Sequence, residues 1–520
     1  MAIGLSRGAQ ALSLLGEQYP AGLKVGASFI EAIEKINHLV LTQESWAPFK
    51  DLSNPLKVFV AFEKRLNRVC ESRVAVNREG RDITGFTHVY SPLEAPYDAS
   101  SFEPFKIKGV WIPESEGDLY MHDRDLLHKV TAVKEGVSKI LFFIHPMSYE
   151  LYGPLLEKYG AQSQDFSAIA LSSVRSLLVA LPSMPRYEYC VAKLSLDAVV
   201  GRVLRHLTKK ECYVSVENSF LLQQDHFPVL KEQVSFVPKS ELMSSEKGKR
   251  DGAGMIYRFL SAELFCDEAQ EFIVPLFSIL GENNKDFLLA LVEASGLDVE
   301  NFIAEKLLLP LARLMVANLF DQQTSYEIHG QNLLVYINKA DGSFRFGYRD
   351  LGGVNRLARP TDSQNLPPFF KKEDFSWREN HTKDAAKVVE DFVHRVIYNL
   401  TKTVYNDQKI LEQAPTFSMW KEEMVERQLD VNWKIIDDEG NHQQQIPIQS
   451  YVRYGFFEKL FGNLLAEEIK LFLPDQIERI DVFKELLQPQ GECFTPCHER
   501  EWFRELILRF YHPLTVDGLC

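Results

Sequence analysis

The sequence predicts an α+β fold. Three observations carry that reading: successive β-rich segments from Lys139 onward, a hairpin pattern at Leu333–Tyr348, and amphipathic stripes of helical period on either side.

Taken in order, Phe29, Ile33, Ile36 and Val40 recur at helical spacing, and Leu56–Val69 reads as a second helix. Phe86–Tyr90 and Phe105–Ile112, set apart by Pro, Gly and Ser, read as strands and loops of a scaffold or lid. From Lys139 the runs ILFFIHPM, IALSSVRSLLVALP and YEYCVAKLSL read as neighbours in one sheet, because each is rich in β-formers and ends at a turn or a change of period. Asp197 is placed to cap a helix AVVGRVLRHLTKK, on which Arg202 and Arg205 share a face. The polar run Ser240–Gly254 reads as a mobile loop, followed by helices at Asp286–Gly296 and Val299–Leu319, the second kinked or divided by Pro310. Beyond the hairpin, Arg359–Phe370 is rich in turn formers, Asp384–Lys402 is amphipathic, and Tyr454–Phe472 and Glu499–Tyr511 read as helices.

The hairpin fixes its own register if Asp341-Gly342 is the turn centre: Ile337 then faces Phe346, Val335 faces Tyr348, and Leu333 faces Asp350. Glu327, His329 and Gln331 continue the same face, while Arg345 and Arg349 point away from it. Polar groups at the mouth of an apolar ribbon read either as a site or as solvated strand ends.

A chain of 520 residues is long enough for roughly two to four domains. Its formal charge of −14 argues against nucleic acid and anionic membrane as partners, while leaving local anion sites open. No apolar run has the length of a membrane helix, and the opening MAIGLSRGAQALSLLGEQYP is not expected to act as a signal peptide. The seven scattered cysteines form no disulfide framework, which fits a reducing cytoplasm.

Arg175, in Ser173-Val174-Arg175-Ser176, stands in an apolar strand and shares a face with Ser173, so its charge needs an anion or an acid. That describes a phosphate clamp or a structural salt bridge. Lys193, Arg202 and Arg205 follow on successive elements, which favours a local anion site over a solvated basic face. His145-Pro146 ends a strand, where side chains often enter a cleft. Cys493, Cys497 and His498 lack a second pair at zinc-like spacing and read as ordinary loop residues. Arg349-Asp350-Leu351 with Asn355, and Asp374-Phe375-Ser376 downstream, imitate kinase motifs, but no Gly-rich phosphate loop or Walker A sequence accompanies them.

The ordered set His145-Pro146, Ser173-x-Arg175-Ser176, Lys193-Leu194-Ser195 with Arg205, Glu327-x-His329-x-Gln331-Asn332 and Arg349-Asp350 resembles the siderophore synthetases that work independently of nonribosomal peptide synthetases, the aerobactin-synthetase-like family. The resemblance spans roughly Lys139 to Gly353. It implies a cupped hand of three α+β domains: a thumb-like region at 1–138, a fingers-like sheet region at 139–298 and a palm-like region at 299–520 with mixed or antiparallel sheets and C-terminal helices. It also implies ATP and Mg2+ as cofactors, with a carboxylate of citrate or a related polycarboxylate attacking the α-phosphorus. An amine or amino-alcohol nucleophile then displaces AMP. A homodimer is among the assemblies it allows.

Carried over by position, Ser173, Arg175 and Ser176 would hold the ATP phosphates, and Gln331 would line the nucleotide site. Lys193 and Arg205 would neutralise phosphate and substrate carboxylate, His329 would hydrogen-bond the reacting groups, and His145 would meet substrate. Glu327 and Asp350 would ligate Mg2+. The chain departs from the family pattern at three places: Met147-Ser148-Tyr149-Glu150 replaces a basic stretch after His-Pro, Ser176 replaces the usual threonine and keeps its hydroxyl, and Arg202 stands where asparagine is usual. The function implied is a carboxylate-adenylating ligase of siderophore biosynthesis and iron acquisition. A nucleotide- or citrate-binding regulatory relative and a kinase-like phosphotransferase are the other readings.

Overall fold

The computed structural model describes Phe49, Tyr97, Asp475 and residues 52–64, 73–76, 91–92, 103–121, 124–181, 189–200, 203–222, 228–276, 291–292, 295–297, 301–320, 324–326, 331–338, 343–356, 435–436, 442–443 and 464–471. The helix expected around Phe29–Val40, the segments Arg359–Phe370, Asp384–Lys402 and Glu499–Tyr511, and Arg202, Glu327, His329, Asp374, Cys493, Cys497 and His498 lie outside the described residues.

Helix α1 (Asn54–Lys64) starts where Ser53 Oγ accepts the Leu56 N–H at 3.4 Å, with Pro55 in its first turn, where a missing amide costs nothing. Leu56 and Val58–Phe62 are all buried, so α1 is enclosed rather than laid on a surface.

A nine-stranded antiparallel sheet follows: β1 (Phe105–Pro113), β2 (Gly117–Met121), β3 (Thr131–Lys134), β4 (Val137–Ile144), β5 (Gln164–Ala170), β6 (Ser176–Val179), β7 (Cys190–Leu194), then, beyond the small hairpin β8 (Ala198–Val200) and β9 (Val203–Leu204), β10 (Val234–Pro238) and β11 (Met255–Phe259). The spatial order is β2-β10-β11-β7-β6-β5-β1-β4-β3. Three residues, Glu114–Glu116, join β1 to β2, which stand six positions apart. Six strand spacings of about 4.8 Å make roughly 29 Å in a flat sheet, about twice the reach of that link, so the sheet curls. Strands from both sides of residue 139 build it, since β3 and β4 form a hairpin.

The two faces have separate cores. Phe142, Leu177, Ala192, Leu194, Met255 and Tyr257 pack under Tyr152 and Leu155, the latter on α2 (Gly153–Tyr159). Ile169, Leu178 and Val191, on the other face, meet α1 and a three-stranded sheet of β12 (Glu271–Pro275), β13 (Leu333–Asn338) and β14 (Phe344–Tyr348). Lys193 alternates with Val191 in phase and therefore faces this second layer.

Four expectations are corrected. Ser173-Val174-Arg175 is a turn and not strand: Ser176 N–H donates to Ser173 O at 3.0 Å and Leu171 N–H to Ser176 O at 2.8 Å, closing the β5–β6 hairpin. Asp197 caps no helix, because the β-branched residues around Gly201 form β8 and β9. The helix starts later, as α3 (Lys209–Leu221), behind a Thr208–Glu211 capping box. Ser240–Gly254 is built rather than loose: Ser240–Leu242 is 3-10, α4 (Glu246–Asp251) is capped by Ser245, and Gly254 is buried. The β13–β14 register pairs Leu333 with Tyr348 and Val335 with Phe346, two residues from the expected one. An even shift preserves which side chains share a face, so Val335, Ile337, Phe346 and Tyr348 all stay in the core.

Pro310 does divide its helix, with π-helical turns at Phe302–Leu308 giving way to α5 (Leu309–Phe320). Residues 464–471 are helical and place Leu465, Ala466 and Ile469 in the same core as α5.

A Cβ on Gly254 would stand 2.8 Å from Cys212 Sγ, Phe236 O and Val237 Cγ2, two of them on β10. Gly254→Ala is therefore expected to lose about 1–3 kcal/mol in urea unfolding. Gly160→Ala, whose new methyl meets only Leu156 at 3.7 Å, should stay within about 0.5 kcal/mol of wild type.

Candidate active site

Cations converge where the curled sheet meets the hairpin layer. Lys193 on β7 is buried, and its ammonium donates to Asp350 Oδ1 in a close ion pair. Ser176 is its register partner on β6. Arg175, one residue earlier in the turn, is also buried, and its Nη1 donates to Arg205 O at 3.3 Å. That carbonyl accepts the Leu196 N–H as well, at 3.0 Å, so the arginines of the turn and of the segment after β9 are tied through backbone.

Asp350 sits in the left-handed region, with φ 68° and ψ 65°. Two buried acids hold it there by its neighbours. Glu232 accepts the Leu351 N–H at 3.0 Å and Arg258 Nη2 at 2.8 Å. On the other side Glu63 of α1 pairs with Arg349 Nη1 and accepts the Ser172 N–H at 2.9 Å. Arg349 Nη2 donates to Ser172 Oγ at 2.9 Å and its Nε to Gln331 O at 2.9 Å, while Gln331 Nε2 reaches Ser172 Oγ at 3.2 Å. Burial pushes the Asp350 carboxyl up, but the Lys193 ammonium and the Arg175 guanidinium, with Arg258 beyond them, outweigh it and hold the group well below the usual carboxylate range. It stays ionised at neutral pH.

The structure thus brings together Arg175, Ser176, Lys193 and Asp350, with Arg205 joined through its backbone carbonyl and Gln331 through Ser172. Glu327 and His329 lie outside the described residues. His145, expected at the substrate, is fully buried: its Nδ1 accepts the Met147 N–H at 3.2 Å and its ring packs against both Tyr97 and Phe105, which also touch each other. Among the described residues no group of three or more His, Cys, Asp or Glu side chains gathers as for a metal. Asp350 is chemically suited to Mg2+ as an ionised oxygen donor, with Oδ1 engaged by Lys193.

Sequence reasoning passed over Glu63, Ser172, Glu232 and Arg258. Glu63 carried a signal, being the one acid in the apolar run LKVFVAFEK. Arg258 carried a similar signal, as the one charge in the apolar strand MIYRF. Glu232 had none, since its partners lie 26 and 119 positions away.

No family model and no curated protein matches the chain. Among solved structures, it is similar to the petrobactin biosynthesis protein AsbB of Bacillus anthracis str. Sterne, at 16% identity and TM-score 0.48 over 64% of this chain. That match spans 62% of the AsbB chain, less than two thirds of its length. It is also similar to aerobactin synthetase IucC from a hypervirulent pathotype of Klebsiella pneumoniae, at 14% identity and TM-score 0.49 over 96% of this chain and 86% of that one. ATP-bound aerobactin synthetase IucA from a hypervirulent pathotype of the same organism gives 13% identity and TM-score 0.47, over 84% and 81%. The chain resembles the siderophore synthetases. Among the described residues no helix is long and apolar enough to cross a membrane.

Burial pulls His145 down to about 3 from its usual 6.5. A depressed folded value means stability is full above about pH 6.5 and is lost as pH falls toward 3, because the unfolded chain binds the proton first. Urea unfolding should therefore show a loss approaching about 1.4 kcal/mol per pH unit below 6.5. His145→Asn, which can still accept the Met147 N–H, should remove that component of the slope.

Proposed function

We propose that this chain is an ATP-dependent ligase of siderophore assembly, activating a carboxylate of citrate or a related polycarboxylate and joining it to an amine or hydroxyl nucleophile. The observation that supports it most directly is the pair of buried cations Arg175 and Lys193 acting on Asp350, with Arg205 joined to Arg175 through its backbone carbonyl. A carboxylate approaching a polyphosphate brings two anions together, and buried cations that lose no hydration at that moment lower the cost. The carboxylate oxygen bonds to the α-phosphorus as pyrophosphate leaves. The nucleophile then bonds to the acyl carbon, AMP departs and the nucleophile gives up a proton.

In this reading Ser173, Arg175 and Ser176 hold phosphates at the β5–β6 turn, Gln331 lines the nucleotide pocket, and Lys193 and Arg205 neutralise substrate and phosphate. His329 serves the reacting groups by the resemblance. Glu327 and Asp350 would hold Mg2+, which when bound spreads the phosphate charge. The thumb, fingers and palm arrangement goes with the same reading. His145, enclosed with Tyr97 and Phe105, is given no substrate contact in this reading.

Incubation with ATP, citrate and hydroxylamine should release AMP and pyrophosphate and trap a citryl hydroxamate. Arg175→Ala, checked by circular dichroism, should lower that rate by about 100-fold or more, the usual cost of removing a preorganised donor. Near-normal adenylation by the folded variant would sink the site assignment. ADP with phosphate on an acceptor would point to a phosphotransferase, and ATP binding without turnover across carboxylates and amines to a regulatory relative.

A further inference from the structure

Glu63 belongs to none of the motifs above and reaches none of the proposed substrate contacts, yet its carboxylate joins both halves of the candidate site. It is fully buried on α1, more than one hundred residues before the turn and almost three hundred before the hairpin end. Its Oε2 fixes the backbone N–H of Ser172, the residue that leads into Ser173-Val174-Arg175-Ser176. Its Oε1 fixes Arg349, the residue before Asp350. The two halves are then cross-tied, since Ser172 Oγ accepts from both Arg349 Nη2 and Gln331 Nε2, and Arg349 Nε closes onto Gln331 O.

We infer that Glu63 is a positioning residue for nucleotide binding. Acting through Ser172 and Arg349, it sets the spacing between the phosphate-binding turn and the Gln331/Asp350 mouth of the hairpin. This rests on the reading of the cluster as an ATP site. A carboxylate suits the task because it has two acceptor oxygens in one plane, one for a neutral amide and one for a guanidinium. An amide in its place has a single acceptor oxygen and presents a donor to the other partner. The inference places α1, from the N-terminal part of the chain, inside the working unit of the enzyme. The Glu232 pair fixes Leu351 from the far side, so loss of Glu63 would leave Asp350 held at one end only.

The test uses full-length wild type, Glu63→Gln and Ser172→Ala, each held at a temperature where circular dichroism shows it folded. Two quantities are measured: the Kd for ATP and amide hydrogen exchange of peptides covering 171–176, 331–335, 349–354 and, as a reference, 137–144. Glu63→Gln should raise the ATP Kd by about tenfold or more and speed exchange in the turn and the hairpin mouth together, leaving the 137–144 strand protected. Ser172→Ala, which keeps the Glu63 bonds but removes the shared hydroxyl, should weaken ATP by about threefold and decides the matter if Glu63→Gln does not fold. Wild-type ATP affinity in either folded variant overturns the positioning role, whatever happens to its melting temperature. If wild type itself binds no ATP, the nucleotide reading fails. Exchange alone then decides: joint loss of protection upholds the spacing role of Glu63, and loss in one segment or neither overturns it.

Discussion

The structure turns on the ion pair between Glu63 and Arg349. Both groups are buried, and moving two charges out of water costs several kcal/mol per ion before any attraction is counted. Such a pair persists only where the remaining lone pairs and N–H groups are also used. Here they are: Ser172 and Gln331 supply the rest of the acceptors and donors around the acid and the guanidinium. Because those partners come from a helix, a turn and a hairpin end, the pair cannot form until all three have docked. It works as a check on tertiary assembly more than as a source of stability.

Next to it stands a deliberate misfit. A non-glycine residue in the left-handed region costs on the order of 1–3 kcal/mol and survives where its surroundings over-determine it. Asp350 is over-determined by the Arg349 anchorage on one side and the Glu232 bond to Leu351 on the other, and the result is a carboxylate delivered to Lys193. Lys193 in turn could not stand on the layer-facing side of β7 without it. The centre is therefore built from groups each of which would be unfavourable alone: Asp350 is offset by Lys193, and the Arg175 guanidinium helps to hold the same carboxylate ionised.

Local patterns in the sequence suffice for β1, β4, β7 and the run that holds β5 and β6, for the β13–β14 hairpin and for the break at Pro310, because these follow from alternation, turn formers and a missing amide; β2, β3, β10 and β11 are not read from them. They failed at two kinds of place. Ser172-Ser173 interrupts an otherwise continuous β-rich run without Gly or Pro, so a turn was read through as strand. The Ala198–Leu204 residues fit a helical stripe as well as a short hairpin, and only the strand at Arg73–Val76 that pairs with Ala198–Val200 settles the matter. The site was legible where chemistry needs unusual residues in apolar settings, as with Arg175 and Lys193. It was illegible where a residue acts by reaching across the fold: an acid in the apolar run LKVFVAFEK marks Glu63 as needing a partner, but nothing local says that Glu63 and Glu232 have partners 109 and 119 positions away.

The short link between β1 and β2 bears on how the chain reaches this state. β1 can pair early with β4 and β5, its near neighbours in sequence. β2, three residues further on, must wait for β10, whose Phe236 is the partner of Leu119. The curl is thus completed by a contact of long sequence separation, and loop-closure entropy has to be met before that contact repays it. Until then β2 presents an unpaired edge on a nascent chain. Synthesis from the N-terminus delivers β10 only after β7 has emerged, and the β12–β14 layer that shelters Lys193 later still, so the surface that bears Lys193 is formed before its cover arrives.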